Sequence, residues 1–217
     1  MSERAVVRLE IDLPREEALR YLGASGADPA RSRGARRLDE LWDEAVGLLE
    51  PRGVWRLVDG AVAAGTGMPE PGDQVAVGVC TIGSALEDAS AERAGRGSLL
   101  DALVLDAIGS AAAEAAADAL NLLICEAAAA REREAAPRVS PGYGGWDTVC
   151  QARLLALLPT GDLGVRLTSG SMMVPRKSVS FAASLVVRAA VRAHPGEKCA
   201  RCGLLHCRHR VAPAECG

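Results

Sequence analysis

The stretch Leu105-Asp-Ala-Ile-Gly-Ser-Ala-Ala-Ala-Glu114 lies in the middle of a long Ala-rich run that ends before Pro137. Alanine and leucine favour helix and proline stops it, so the run predicts one helix over 98–135. Its charged side chains exclude a membrane span. At ~100° per residue, the polar side chains of the run gather in one stripe, with small residues opposite. The members of this stripe are Asp106, Glu114, Asp118 and Asn121. The stripe faces either water or a site.

The segment after this run is rich in residues that turn the backbone. Arg138-Val-Ser-Pro-Gly-Tyr-Gly-Gly-Trp146 holds one proline, three glycines and two aromatic residues within nine positions. Such a backbone presents its own N–H and C=O groups, which suits the binding of a small polar ligand. Composition taken alone favours the plainer interpretation, a helix-to-helix connector that packs an aromatic side chain.

Alternating apolar residues predict strands over 7–13, 53–63, 74–82, 163–167 and 178–188. The strand over 74–82 is nearly all apolar, so we expect it at the centre of a sheet. Helical periodicity and capping residues predict helices over 14–22, 37–50, 84–93 and 147–158, with 23–35 as a loop.

The chain has 217 residues, is 49% hydrophobic and carries a net charge of −3 from 25 basic and 28 acidic residues. This content is enough to bury a core. The charge balance gives no reason to expect nucleic acid or an anionic membrane as a partner. The N-terminus lacks an apolar signal core, so we expect a cytoplasmic protein.

The seven cysteines fall into two groups. Cys80, Cys125 and Cys150 lie in apolar runs and are expected to be buried, reduced thiols. The other four crowd the last 19 residues, where Cys199, Cys202 and Cys207 form a C-x2-C-x4-C pattern. With His206 or His209 they predict a structural zinc site of three cysteines and one histidine, and with Cys216 they predict an iron–sulfur cluster instead. A third alternative is thiols that hold no metal and contact a partner or a corrinoid.

Five blocks of the sequence, in order, resemble the activation domain of cobalamin-dependent methionine synthase. They are Thr81-Ile-Gly-Ser-Ala-Leu-Glu87, Leu105 to Glu114, Arg138-x4-Tyr143, Gly164-Val-Arg-Leu-Thr168 and Ser171-Met-Met-Val-Pro-Arg-Lys-Ser-Val-Ser180. Ala18-Leu-Arg-Tyr-Leu-Gly23 is similar to the opening of the shorter, stand-alone members of that family.

The resemblance implies a C-shaped α+β domain, with a bent antiparallel sheet and long flanking helices, over 1–195, followed by a Cys-rich tail over 196–217. It also implies binding of S-adenosylmethionine over cobalamin held by a corrinoid-binding protein or methyltransferase. Such a domain is the reactivation component of that enzyme. It serves reductive methylation of the cobalt, with an electron from a flavodoxin-type or iron–sulfur donor.

The same resemblance implies the site residues. Arg138 pairs with the ligand carboxylate through its planar fork. The backbone of Pro141 and Gly142 binds the adenine edge or the carboxylate, and Tyr143 offers its ring face or hydroxyl. Glu114 accepts hydrogen bonds from the ribose hydroxyls or the ammonium.

The sequence departs from the family at three places. Gly144-Gly145-Trp146 replaces a Pro-Ala-Cys-Pro run, so the loop is expected to be more flexible or differently shaped. An aspartate that binds the ligand's amino group has no clear counterpart in 23–35, and a tyrosine expected just after Ser180 is absent. These departures support an alternative: a non-catalytic module that binds a corrinoid protein, or a redox partner carrying a zinc or iron–sulfur tail.

Overall fold

The computed structural model of the chain describes residues 5–24 and 32–187. The first half contains, in chain order, β1 (Val7–Arg8), α1 (Arg15–Leu22), α2 (Arg33–Gly47), β2 (Arg52–Asp59), α3 (Gly60–Gly65), β3 (Gln74–Thr81) and α4 (Ala85–Gly95). The second half contains α5 (Leu99–Ala129), β4 (Arg133–Ala135), a 3-10 turn at Thr148–Cys150 that runs into α6 (Gln151–Leu155), α7 (Thr160–Leu163), β5 (Arg166–Leu167), β6 (Met173–Val174) and β7 (Ser178–Val187). None of the helices described is long and apolar enough to cross a membrane.

Five of the strands form one curled antiparallel sheet in the order β1-β2-β3-β7-β4. Strand β3 pairs along its whole length with both β2 and β7, so that Gly78 lies between Trp55 and Phe181. The prediction of a central strand at 74–82 is therefore confirmed. Strands β5 and β6 form a separate two-stranded ribbon.

Both faces of the sheet are covered. One face packs against α5, with α1, α2 and α4 around it, in a core that includes Leu120, Ile124 and Phe181. The other face packs against the segment from Trp146 to Val165 in a second core. The mixture of helices with a bent antiparallel sheet confirms the predicted fold class.

Two glycines let α5 approach the sheet closely. A Cβ atom on Gly53 of β2 would lie 3.1 Å from Leu120 of α5, and one on Gly78 of β3 would lie 3.2 Å from the same side chain. Since larger residues would push the helix outward, these glycines bring the polar stripe of α5 close to the sheet.

Several predicted elements have different bounds in the structure. The strand predicted over 7–13 is only Val7–Arg8, the helix predicted over 37–50 is Arg33–Gly47, and the strand predicted over 163–167 is only Arg166–Leu167. Two further differences have a clear physical reason. The helix predicted over 98–135 ends at Ala129, and the chain turns at Glu132, whose φ is 56°, before β4 pairs with β7. The strand predicted over 53–63 stops at Asp59, where the Ala-rich residues that follow form α3. In the first case sheet pairing overrides the helical preference of alanine, and in the second that preference ends the strand.

Candidate functional site

A β-bulge places Arg138 at the edge of the sheet. Ala135 pairs with Leu185, and pairing resumes where Val139 and Ala182 exchange two hydrogen bonds of 2.8 Å. Val139 is four residues after Ala135, whereas Ala182 is three residues before Leu185. The segment that leads to Arg138 therefore contains one extra residue between the two pairs. Pro137 lies in this bulge, where a ladder N–H is not required. Bulges of this kind re-aim side chains, and here the bulge directs Arg138 toward α5.

The guanidinium of Arg138 lies between β7 and α5. Its Nη2 atom is 2.8 Å from Oε2 of Glu114 and 2.7 Å from Oδ1 of Asp118. Its central carbon lies 5.5 Å from the ring centroid of Phe181. The Arg138 side chain is only 5% exposed, and its buried Nη1 has no hydrogen-bond partner within the part of the chain that is described. A buried guanidinium with an unsatisfied donor is costly, so an anion that reached Nη1 would stabilise it; because this atom is covered, the anion must first displace a neighbouring group.

The two carboxylates lie at the boundary between this buried cation and water. The side chain of Glu114 is 46% exposed and that of Asp118 is 73% exposed. Both therefore remain accessible to a ligand while they neutralise Arg138. The site offers an unsatisfied cationic donor and two anionic acceptors side by side, which is the complement of a zwitterionic amino acid group.

The 138–146 loop closes on itself. Gly142 N–H donates to the carbonyl of Trp146 at 2.6 Å, and Trp146 N–H donates to the carbonyl of Tyr143 at 3.0 Å. Gly142, Gly144 and Gly145 have φ values of 94°, 59° and 81°, which other residues adopt at a cost. The glycines therefore permit a tight turn at this point of the chain.

Trp146 anchors this turn to the opposite core. Its side chain is 1% exposed, and its Nε1–H donates to the carbonyl of Thr66 at 3.2 Å. The Gly144-Gly145-Trp146 ending is thus held at its end by a buried ring.

The other predicted ligand-binding positions of the loop differ in accessibility. Pro141 is buried, whereas the Tyr143 side chain is 59% exposed. The Gly142 N–H is already bonded to the Trp146 carbonyl, so it cannot donate to a ligand unless the loop rearranges. The structure brings Arg138 and Glu114 into direct contact.

Two further ionisable groups have pKa values that are affected by the charges of this site. Burial raises the pKa of the Tyr21 hydroxyl of α1, and the negative charge of Glu114 raises it further. Burial raises the pKa of the Cys80 thiol to about 12, although the charge of Arg138 acts in the opposite direction. Cys80 and Cys150 are buried, as predicted, whereas Cys125 is only partly buried. Burial also raises the pKa of the Cys125 thiol, so neither Cys80 nor Cys125 is activated as a nucleophile by its surroundings.

A second cation reaches the stripe of α5 nearer its N-terminus. Lys177 Nζ lies 2.7 Å from Oδ1 of Asp106 and donates to Ser110 Oγ at 2.8 Å. The Lys177 side chain is 12% exposed, and Gly109 leaves room for its aliphatic part. Most of the acidic stripe is therefore paired with cations from the sheet side and is not simply a solvated face.

Sequence reasoning did not assign Asp118, Lys177 or Phe181 to the site. Asp118 was visible only as a member of the stripe, one helical turn after Glu114. Its contact with Arg138 depends on the bulge, for which the sequence carries only the weak signal of Pro137.

A cavity of about 200 Å³ lies elsewhere, lined by residues that include Arg56, Asp59 and Leu157. It lies at the end of β2 and is not lined by Arg138, Glu114 or Asp118, so the cavity and the candidate binding residues are at different places. We place the candidate site at Arg138, because the unsatisfied buried donor is there.

In 5–24 and 32–187 no group of three His, Cys, Asp or Glu side chains is arranged to hold a metal ion. The predicted ligands Cys199, Cys202, Cys207 and His206 lie outside the described residues.

Comparison with known proteins supports the fold. The chain is similar to the crystal structure of the MetH reactivation domain bound to AdoHcy, with a TM-score of 0.58 and 14% sequence identity over 88% of this chain and 81% of that chain. At this identity the likeness establishes the fold and not the residues of a site. No protein-family model matches the chain, and no curated protein matches it.

Proposed function

We propose that this chain binds S-adenosylmethionine and serves as an accessory protein in the reductive reactivation of a cobalamin-dependent methyltransferase of the methionine synthase type. The observation that carries the proposal is the Arg138 cluster: a guanidinium 5% exposed, with an unsatisfied Nη1 and two carboxylates beside it. The fold supports it, since the similar MetH reactivation domain was crystallised with AdoHcy.

Each residue has a defined task in this proposal. Arg138 Nη1 donates to the ligand carboxylate, and the ring of Phe181 beneath the guanidinium fixes its plane. Glu114 accepts from the ribose hydroxyls or the ammonium. The carbonyls of Pro141 and Gly142 accept from the adenine amino group, and the exposed ring of Tyr143 covers the ligand.

When bound, S-adenosylmethionine supplies the methyl group that, with one electron from a flavodoxin-type or iron–sulfur donor, returns a Co(II) corrinoid on the partner to its methylated form. The chain's own contribution is positioning. It holds the amino acid end of the ligand at a buried cation, and it leaves the accessible side of the ligand facing a corrinoid-binding partner in the cytoplasm.

One observation favours the alternative of a non-catalytic module that binds a corrinoid protein. The Gly142 N–H is bonded within the loop, so one of the backbone donors expected for a ligand is already used. In this alternative the same surface contacts the partner without methyl transfer.

A spectroscopic experiment separates the two functions. The purified chain is mixed with a Co(II) corrinoid methyltransferase, a reductant and S-adenosylmethionine, and the visible spectrum is followed. The proposal expects conversion to methylcobalamin that depends on the chain and is lost with Arg138→Met. A stable complex without conversion would support the alternative and contradict the catalytic role.

A further inference from the structure

The carboxylate of Asp118 lies beside Arg138 but has no part in the ligand binding proposed so far. Its carboxylate contacts Arg138 Nη2 at 2.7 Å, yet its side chain is 73% exposed. The side chain of Glu114 contacts the same nitrogen at 2.8 Å but is more covered, at 46% exposed. Among the cations that the structure describes, Arg138 is the one that contacts Asp118, and most of the Asp118 carboxylate remains open to an incoming group.

The chemistry of an α-amino acid restricts what can occupy this position. Its carboxylate and ammonium are bonded to the same carbon, so a carboxylate on Arg138 Nη1 brings the ammonium within a few ångströms of the guanidinium. Two cations at this distance repel each other unless an anion lies beside both. Asp118 is such an anion, since it already contacts Nη2 from the solvent side.

Glu114 is less suited to the same role. Its side chain is more covered than that of Asp118, which lies one turn further along α5 with an exposed carboxylate. Glu114 remains available for the ribose hydroxyls.

We infer that Asp118 binds the α-ammonium of the ligand, beside the carboxylate bound by Arg138, and so makes the site selective for ligands that carry a free amino acid group. The inference rests on the proposed function, because it requires the ligand carboxylate to lie on Arg138. It adds a specificity-determining residue and names the part of the ligand that this residue recognises.

The test compares two ligands in three proteins. The full chain, Asp118→Asn and Asp106→Asn are titrated by calorimetry with S-adenosylhomocysteine and with its deaminated analogue, in which a keto group replaces the α-ammonium. Asp106→Asn is the matched control, since Asp106 is an acid of the same stripe, 47% exposed, and is paired with Lys177. Circular dichroism and thermal unfolding establish that both variants fold.

Asp118→Asn is expected to weaken S-adenosylhomocysteine about tenfold, the effect of one charge-assisted hydrogen bond, and to leave the analogue unchanged. Asp106→Asn is expected to leave both affinities unchanged. Equal loss of both ligands in Asp118→Asn, or no loss of either, overturns the inference. Failure of the unmodified chain to bind S-adenosylhomocysteine and S-adenosylmethionine overturns the proposed function as well, so the two failures are distinguishable.

Discussion

The indole N–H of Trp146 donates to the carbonyl of Thr66 across the second core, at 3.2 Å, and this bond joins the 138–146 loop to the end of α3. We expect Trp146→Phe to lower the free energy of unfolding by about 1 kcal/mol, because a buried carbonyl loses its donor. It should also weaken S-adenosylmethionine binding, since the turn loses its anchor. Urea denaturation and calorimetry measure the two effects.

Trp42→Phe is the control for this prediction. Trp42 lies on α2, is partly buried and packs against Arg15, away from the loop. Its replacement should leave ligand affinity unchanged. Equal affinities for all three proteins would show that the anchor has no role in the site.

Gly78→Ala tests the close approach of α5 to the sheet. The added Cβ would lie 3.2 Å from Leu120 and 3.3 Å from Phe181, both buried. We expect a loss of about 1–3 kcal/mol in the free energy of unfolding from overpacking. Gly47→Ala at the end of α2 is the control, since nothing lies within 4 Å of the new Cβ. It should be neutral or stabilising by up to about 1 kcal/mol. Equal stabilities for the two variants would contradict the packing described.

Asp101 of α5 gives the fold a pH dependence. Hydrogen bonds from Arg37 and Arg93 lower the pKa of its carboxyl from 3.8 to about 2. Because the folded pKa lies below the unfolded one, the stabilisation is present above pH 4 and is lost as the pH falls from about 4 to about 2. Asp101→Asn should therefore cost roughly 1 kcal/mol at neutral pH, and its difference from the unmodified chain should vanish near pH 2. Denaturation at several pH values measures this dependence, with Asp39→Asn, which removes a half-exposed carboxylate bound to Arg15, as the control for loss of a surface ion pair.

Sequence reasoning predicted the sheet centre and the long helix because both signals are strong and local. The run at 74–82 is apolar at almost every position, and the Ala-rich run has no strand periodicity. It did not predict where the helix ends, because Arg133 to Ala135 continue a helical composition and become a strand only by pairing with β7. Tertiary pairing of this kind has no local signature.

The site was predictable in part for the same reason. The resemblance supplied Glu114 and Arg138 as separate positions, 24 residues apart, and the structure shows them in contact. The sequence does not distinguish Asp118 from an acidic residue that only faces solvent. The bulge before Val139 determines which acidic residue Arg138 contacts.

Calorimetric titration of S-adenosylmethionine into the chain and into Arg138→Met tests most directly whether Arg138 holds the ligand. Methionine keeps much of the buried volume and removes the guanidinium, while the exposed carboxylates of Glu114 and Asp118 remain hydrated. We expect the unmodified chain and Arg166→Met, which replaces an exposed arginine of β5, to bind equally. Arg138→Met should bind about 10- to 100-fold more weakly. Unchanged affinity in Arg138→Met, or no binding by the unmodified chain, would contradict the assignment.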